Sequence, residues 1–123
     1  MKATLHLLFQ GTGEAALAFY EELFPDLNVE GKTHRPDGSL ETARFHMGGM
    51  RLQIHNDTHT HAFGFTPALS IFLDLSDAAQ QERLVTRLSE EGKVMMPLDN
   101  YGFSTAFAWV EDTFGVSWQL NRA

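Results

Sequence analysis

With 123 residues, 43% of them hydrophobic and 20% charged, the chain has the composition of an ordinary folded domain, long enough to bury a core. Its net charge of −7 at pH 7 argues against a nucleic-acid partner, because phosphate binding needs a basic face. The lack of cysteine excludes disulfides, thiolate chemistry and cysteine metal ligands.

The N-terminal apolar run stops at Gln10 and Glu14, too early for a signal peptide, and no run approaches the length of a membrane span. No membrane partner and a cytoplasmic location are the resulting expectations. Residues 3–10, rich in Leu and Phe, predict a strand buried on both faces. Gly11-Thr-Gly13 breaks it. From Glu14 to Phe24 the apolar residues Ala16, Leu17, Tyr20, Leu23 and Phe24 follow helical spacing, and Pro25 ends the helix. A strand over 27–34 leads into the turn Pro36-Asp-Gly38. Leu40 to Met47 and Met50 to Asn56 form a hairpin across Gly48-Gly49.

Residues 57–66 are polar and read as a connector. Ala68 to Asp74 is a short apolar strand. Ser76 or Asp77 caps a helix that runs to about Glu91, with Leu84, Val85 and Leu88 on its apolar face and Gly92 at its end. Lys93 to Met96 is a short strand. A loop through Asp99-Asn-Tyr101 follows, then a strand, a turn at Glu111 to Gly115 whose acidic residues suit a solvated tip, and a closing strand. Phe103, Phe107, Trp109 and Trp118 crowd this last stretch, with the amide of Gln119 among them.

The order strand–helix–strand–strand–strand therefore occurs twice. Glu14-Ala-Ala16 echoes Asp77-Ala-Ala79, Thr42-Ala43 echoes Thr105-Ala106, and Leu52-Gln-Ile54 echoes Trp118-Gln-Leu120. Three matches in the same order indicate a duplicated unit. Within the closing strand of each half, Leu52 and Ile54, or Val116, Trp118 and Leu120, share the parity expected to face the helix. Arg51, Gln53 and His55, or Ser117, Gln119 and Asn121, take the other side, where sheets curved into a cup would line a cavity with them.

The doubled βαβββ order, Phe19-Tyr20 in the first helix and the Asp-x-Phe-Gly115 turn resemble the vicinal oxygen chelate superfamily of glyoxalase I, extradiol dioxygenases and bleomycin-resistance proteins. Phe9-Gln-Gly11, Phe65-Thr-Pro-Ala68, the run Gly92 to Phe103 and Gly115-Val-Ser-Trp-Gln-Leu120 are similar to its PhnB-like subgroup, often labelled 3-demethylubiquinone-9 3-methyltransferase. The resemblance implies an α+β fold: one domain of two βαβββ modules, about 1–58 and 66–123, with a curved mixed sheet forming a cup and helices outside. It also implies a homodimer.

Metal-dependent members of that superfamily place ligands at positions that carry over to Leu5, Gln53, Ala68 and Gln119. Leu5 and Ala68 cannot ligate, and two neutral amides bring no charge to a divalent cation, so no metal is expected. A one-residue shift of the first strand would turn His6 inward beside His55. His59 and His61 in the connector read as exposed or satisfied histidines. Gly11-Thr-Gly13 is a weak match to a cofactor loop, and a chain of duplicated βαβββ units lacks the parallel sheet that S-adenosylmethionine needs, so no cofactor is expected.

The expected function is binding of an unknown small molecule in a cup lined by Leu7, Phe9, Gln53, His55, Tyr101, Phe103, Trp109 and Gln119. The alternative is a lyase, isomerase or dioxygenase-type enzyme on this scaffold, using a recruited metal or His55 as general base. Methyl transfer, as the subgroup label has it, is disfavoured.

Overall fold

The computed structural model describes residues 1–123. Its elements follow the order β1 (Leu5–Phe9), α1 (Gly13–Leu23), β2 (Asn28–His34), β3 (Leu40–Met47), β4 (Met50–Asn56), β5 (Ser70–Asp74), α2 (Ala78–Ser89), β6 (Lys93–Asp99), β7 (Ala106–Glu111) and β8 (Ser117–Arg122). The chain divides into two compact units, Met1–Ala62 and Phe63–Ala123. Each holds one helix and one four-stranded mixed sheet, in the orders β1-β4-β3-β2 and β5-β8-β7-β6. The first and last strands of each unit pair in parallel, and all other pairings are antiparallel. No helix is long and apolar enough to cross a membrane.

In the first unit α1 buries Ala16, Leu17, Tyr20 and Leu23, the stripe its spacing predicts. Beneath it lie Leu52 and Ile54 of β4, Ala43 and Phe45 of β3, and Leu7 and Phe9 of β1, all buried. Removing each such leucine from water contributes about 2 kcal/mol. The pairing Leu5↔Leu52, Leu7↔Ile54 puts odd-numbered residues of β1 on this helix side. That corrects the expectation for Leu5, Leu7 and Phe9: they face α1 and not the open side of the sheet. His6 and Leu8 take the open side.

Asn56 ties the start of α1 to the sheet. Its Oδ1 accepts from the amides of Gly11 and Gly13, both at 3.0 Å, and its Nδ2 donates to the carbonyl of Leu40. Gly13 has to be glycine here, because a Cβ would sit 2.8 Å from that of Asn56. The two amides of the Gly-x-Gly turn are therefore spent on a side chain of the protein itself.

Beyond β4, Asp57 gathers the connector. Its amide donates to the carbonyl of Phe9, Oδ1 accepts from the amide of His59 at 3.1 Å, and Oδ2 lies 2.8 Å from His61 Nε2. The two connector histidines are thus partnered by a carboxylate. Hydrogen bonding from His61, then from the His59 backbone and ring, holds the Asp57 carboxyl well below the usual carboxylate range. A depressed carboxyl stabilises the fold fully above its unfolded pKa of about 3.9 and progressively less as pH falls below it. Asp57→Asn should accordingly lower Tm at neutral pH, and the difference from the parent should shrink below about pH 4. Thermal melts followed by circular dichroism between neutral and acid pH measure this; a constant difference at every pH would contradict it.

The second unit repeats the plan with other residues. Asp77 caps α2 through its side chain, which accepts from the amide of Ala79 at 3.2 Å. The helix stops at Ser89, two residues short of expectation, and Glu91 takes a left-handed conformation (φ 55°) before Gly92. Leu84 and Leu88 are buried and Val85 half-buried, joined by buried Gln81, whose Nε2 donates to the carbonyls of Ala106 and Leu120. Strand β6 runs to Asp99, past the expected Met96; it is an edge strand, where Pro97 forfeits no ladder bond that matters.

Strand β5 begins at Ser70, so Ala68 lies in the preceding turn, where its amide donates to Thr66 Oγ1. Ala68 therefore has no place on a sheet face. Pairing also shifts one term of the internal repeat. Ala43 lies opposite Ile54 and Ala108 opposite Leu120, so the structural counterpart of Ala43 is Ala108, not Ala106.

Candidate functional site

Each sheet has one side under its helix and one open side, and the strand pairings assign the open-side residues row by row. In the first unit the rows read His6–Gln53–Arg44–Gly31 and Leu8–His55–Thr42–Thr33. The matching rows of the second unit are Phe72–Gln119–Trp109–Met96 and Asp74–Asn121–Phe107–Asp99. Gln53 and Gln119 occupy equivalent positions, as their shared sequence context suggests. Everything around them differs.

The first open side is polar. Arg44 Nε donates to Gln53 Oε1 at 3.0 Å. The rings of His6 and His55 stack with centroids 6.0 Å apart. Thr33 and Thr42 share a hydroxyl hydrogen bond of 2.6 Å. Glu30, Gly31, Lys32, Thr33, Thr42, Arg44 and Gln53 border an open groove of about 430 Å³. No hydrogen bond orients His55, whereas a general base ordinarily has its second nitrogen fixed by a partner.

The second open side is aromatic. Phe107 sits at its centre, 4% exposed, with Phe103 edge-on at 5.0 Å, Tyr101 edge-on at 6.1 Å and Phe72 tilted at 6.3 Å. Phe72 and Phe103 remain 49% and 65% exposed. Trp109 is held by its own indole, which donates to Ser117 Oγ at 2.8 Å; Ser117 in turn bonds Ser70. Tyr101 and Phe103 arrive on a loop set by Asn100, whose Oδ1 accepts from the amide of Gly102 (φ 92°). Its short aspartate–asparagine run is thus an Asx turn that presents the two rings. Trp118 faces the other way and is core, 1% exposed.

Of the residues expected to line a site, Gln53 and His55 share the first open side, and Tyr101, Phe103, Trp109 and Gln119 belong to the second. Leu7 and Phe9 join neither. Sequence reasoning passed over Arg44, Thr42 and Phe72 on these faces. Arg44 and Thr42 could have been found by carrying the parity of β4 across the Gly48-Gly49 hairpin.

The donors on these faces suit a divalent metal poorly. In the first unit His6 replaces Leu5 at the open position, but the carbonyl oxygen of Gln53 is taken by Arg44. That guanidinium would also repel a cation beside it. In the second unit the position equivalent to His6 is Phe72, which offers no donor. No group of three His, Asp or Glu side chains in the chain is arranged to hold a metal ion.

Comparison with known proteins fits this architecture. A family model described as 3-demethylubiquinone-9 3-methyltransferase matches residues 1–121. Among solved structures, the PhnB protein from Bacillus cereus is 31% identical with a TM-score of 0.93, and the match covers 100% of both chains. A glyoxalase-related enzyme from Fulvimarina pelagi shares the fold at 20% identity and TM-score 0.67, covering 100% of this chain and 88% of its own. So does the fosfomycin resistance protein FosX from Listeria monocytogenes, solved with Mn(II) and a dihydroxypropylphosphonic acid, at 11% identity and TM-score 0.68 over 98% and 91% of the chains. No curated protein matches. The chain belongs to the PhnB-like family described as 3-demethylubiquinone-9 3-methyltransferase, and it shares the fold of glyoxalase-related and fosfomycin resistance proteins.

Proposed function

We propose that the protein binds a flat, largely apolar small molecule against the aromatic face of its second sheet, as a homodimer and without a resident divalent metal. The observation that carries this reading is the group Phe72, Tyr101, Phe103 and Phe107, with Trp109 and Gln119 on the same open side in the row of Phe72. Phenylalanine rings left half-exposed on an acidic domain are costly unless something covers them, and ring faces and edges select planar partners. Gln119 supplies a neutral donor and acceptor that can orient such a ligand. Sequestration requires nothing more.

The family description speaks of methyl transfer, but this chain's residues lend that chemistry little support. Nucleotide-type cofactors sit on free amides at a glycine turn of a parallel sheet, and here those amides are bound by Asn56.

A thermal-shift screen of planar aromatic compounds tests the reading. At a hundredfold excess over Kd a true ligand should add about 2.7 kcal/mol, a rise in Tm of several degrees. Phe103→Ala should weaken it about three- to tenfold, the worth of one aromatic pair. If no flat compound stabilises the protein, the proposal fails. Elemental analysis of protein purified without a His-tag should find no stoichiometric transition metal.

A further inference from the structure

The two open sheet sides are built on one plan yet lined by opposite chemistries. Where the second row carries Phe72 and Trp109, the first carries His6 and Arg44. We infer that the open side of the first sheet binds an oxyanion, with Arg44 as the principal contact, and that it takes the acidic group of an organic acid.

What sets Arg44 apart is its place, on an open sheet side bordering a groove. In a chain of net charge −7 it has no carboxylate partner, and its one protein hydrogen bond is through Nε to Gln53. That bond fixes the plane of the guanidinium and leaves both terminal nitrogens to donate. This is the fork that pairs bidentately with a carboxylate or phosphate. Opposite Arg44 in the ladder stands Gly31, above which nothing lies within 4 Å of where a side chain would start. The groove of about 430 Å³ is open there, and Thr33 and Thr42 border it with hydroxyls.

Charge placement supports the same conclusion. Most of this unit's carboxylates lie away from the open side: Glu14, Glu21 and Glu22 on α1, Asp26 after it, Asp37 in the β2–β3 turn and Asp57 in the connector. Glu30 borders the groove, but its Oε1 lies 3.0 Å from His46 Nδ1, and Glu41 lies beyond the threonines, 3.5 Å from Thr33 Oγ1. His6, in the same row as Arg44, and His55, in the next row, have no carboxylate partner and add donors.

This deepens the small-molecule reading and rests on it only for the idea that a ligand is bound. The two can be separated by titrating isotope-labelled protein with benzoate, with its uncharged isostere benzamide, and with inorganic phosphate, following amide and Arg Nε–Hε resonances. Benzoate and phosphate should both shift Gly31, Thr42 and Arg44 Nε–Hε, and benzamide should not. Arg44→Ala should weaken benzoate at least tenfold, and Arg44→Lys, which keeps the charge but loses the fork, by less. Whichever of the two anions binds more tightly identifies the acid class. Three results overturn the inference: equal affinity for benzoate and benzamide, no effect of Arg44→Ala, or no shift at Arg44 at millimolar anion. If shifts appear only at Phe72, Phe103 and Phe107, the aromatic proposal survives and the oxyanion site does not.

Discussion

Gly92→Ala is expected to unfold the second unit, or to lower its Tm by more than about 15 °C, corresponding to a loss above about 4 kcal/mol. The backbone of Gly92 has no left-handed torsion, so alanine meets no intrinsic conformational penalty. The obstacle is steric. A Cβ would lie 2.1 Å from the carbonyl oxygen of Glu111 and 3.0 Å from the carbonyl carbon of Asp112. Both are backbone atoms at the end of β7, and Lys93, the next residue, pairs with Glu111. Relief would require pulling β6 from β7, which forfeits ladder bonds along a whole strand. Gly64→Ala is the matched control: nothing lies within 4 Å of its Cβ position, and its melting temperature should move by no more than about 2 °C. Paired denaturation curves measure both. Equal melting temperatures for Gly92→Ala and the parent would mean that β6 tolerates a shift the close packing here forbids.

How much of this was legible beforehand depended on whether each strand had one apolar parity. β4 and β8 do: Leu52 and Ile54, or Trp118 and Leu120, alternate with polar residues, and both orientations follow directly. β1 does not. Leu5-His-Leu-Leu-Phe9 is apolar at both parities, so only the pairing with β4 decides that His6 and Leu8 face outward. The start of β5 was hidden for a related reason, because Ala68 and Leu69 look strand-like while Thr66 and Pro67 set a turn that delays the ladder. Helix α1 and the capping aspartate of α2 depend on local spacing and chemistry, and local rules found them. The chemistry of the open sides depends on neighbours across strands. Single residues such as Arg44 gain meaning only once Gln53 and Gly31 stand beside them.

Asp112 shows the same limit most sharply, and its removal is the second large effect. Next to Glu111 in a turn before Gly115 it reads as part of a solvated tip, yet it is 3% exposed. Its Oδ1 accepts from the amides of Phe114 at 2.9 Å and Val116 at 3.0 Å, and its Oδ2 accepts from Trp118 Nε1 at 2.9 Å. One carboxylate therefore closes the β7–β8 turn and anchors the largest buried side chain. Asp112→Ala strands three donors, one of them on a tryptophan that is 1% exposed, and should cost about 3–5 kcal/mol.

Asp112→Asn is the more informative change. Its remaining oxygen can keep the two turn amides, but its NH2 then faces the indole N–H, donor against donor, and about 2 kcal/mol should still be lost. In a double-mutant cycle with Trp118→Phe, which removes the indole donor, most of the asparagine penalty should disappear, because no donor then opposes the new NH2. Additive losses would show instead that the turn amides carry the effect. Because Gln119 follows Trp118 on the strand and points to the opposite side, slack in Trp118 also loosens the Phe72–Gln119–Trp109 row. Asp112→Asn should therefore weaken any ligand of the aromatic face at temperatures where the protein is still folded, although Asp112 itself is turned away from it. Calorimetric titration of a hit from the planar-compound screen against the parent, Asp112→Asn and Asp112→Asn/Trp118→Phe measures that coupling. Unchanged affinity in the single variant would mean that the site is held by the Tyr101–Phe103 loop alone and not by the register of β8.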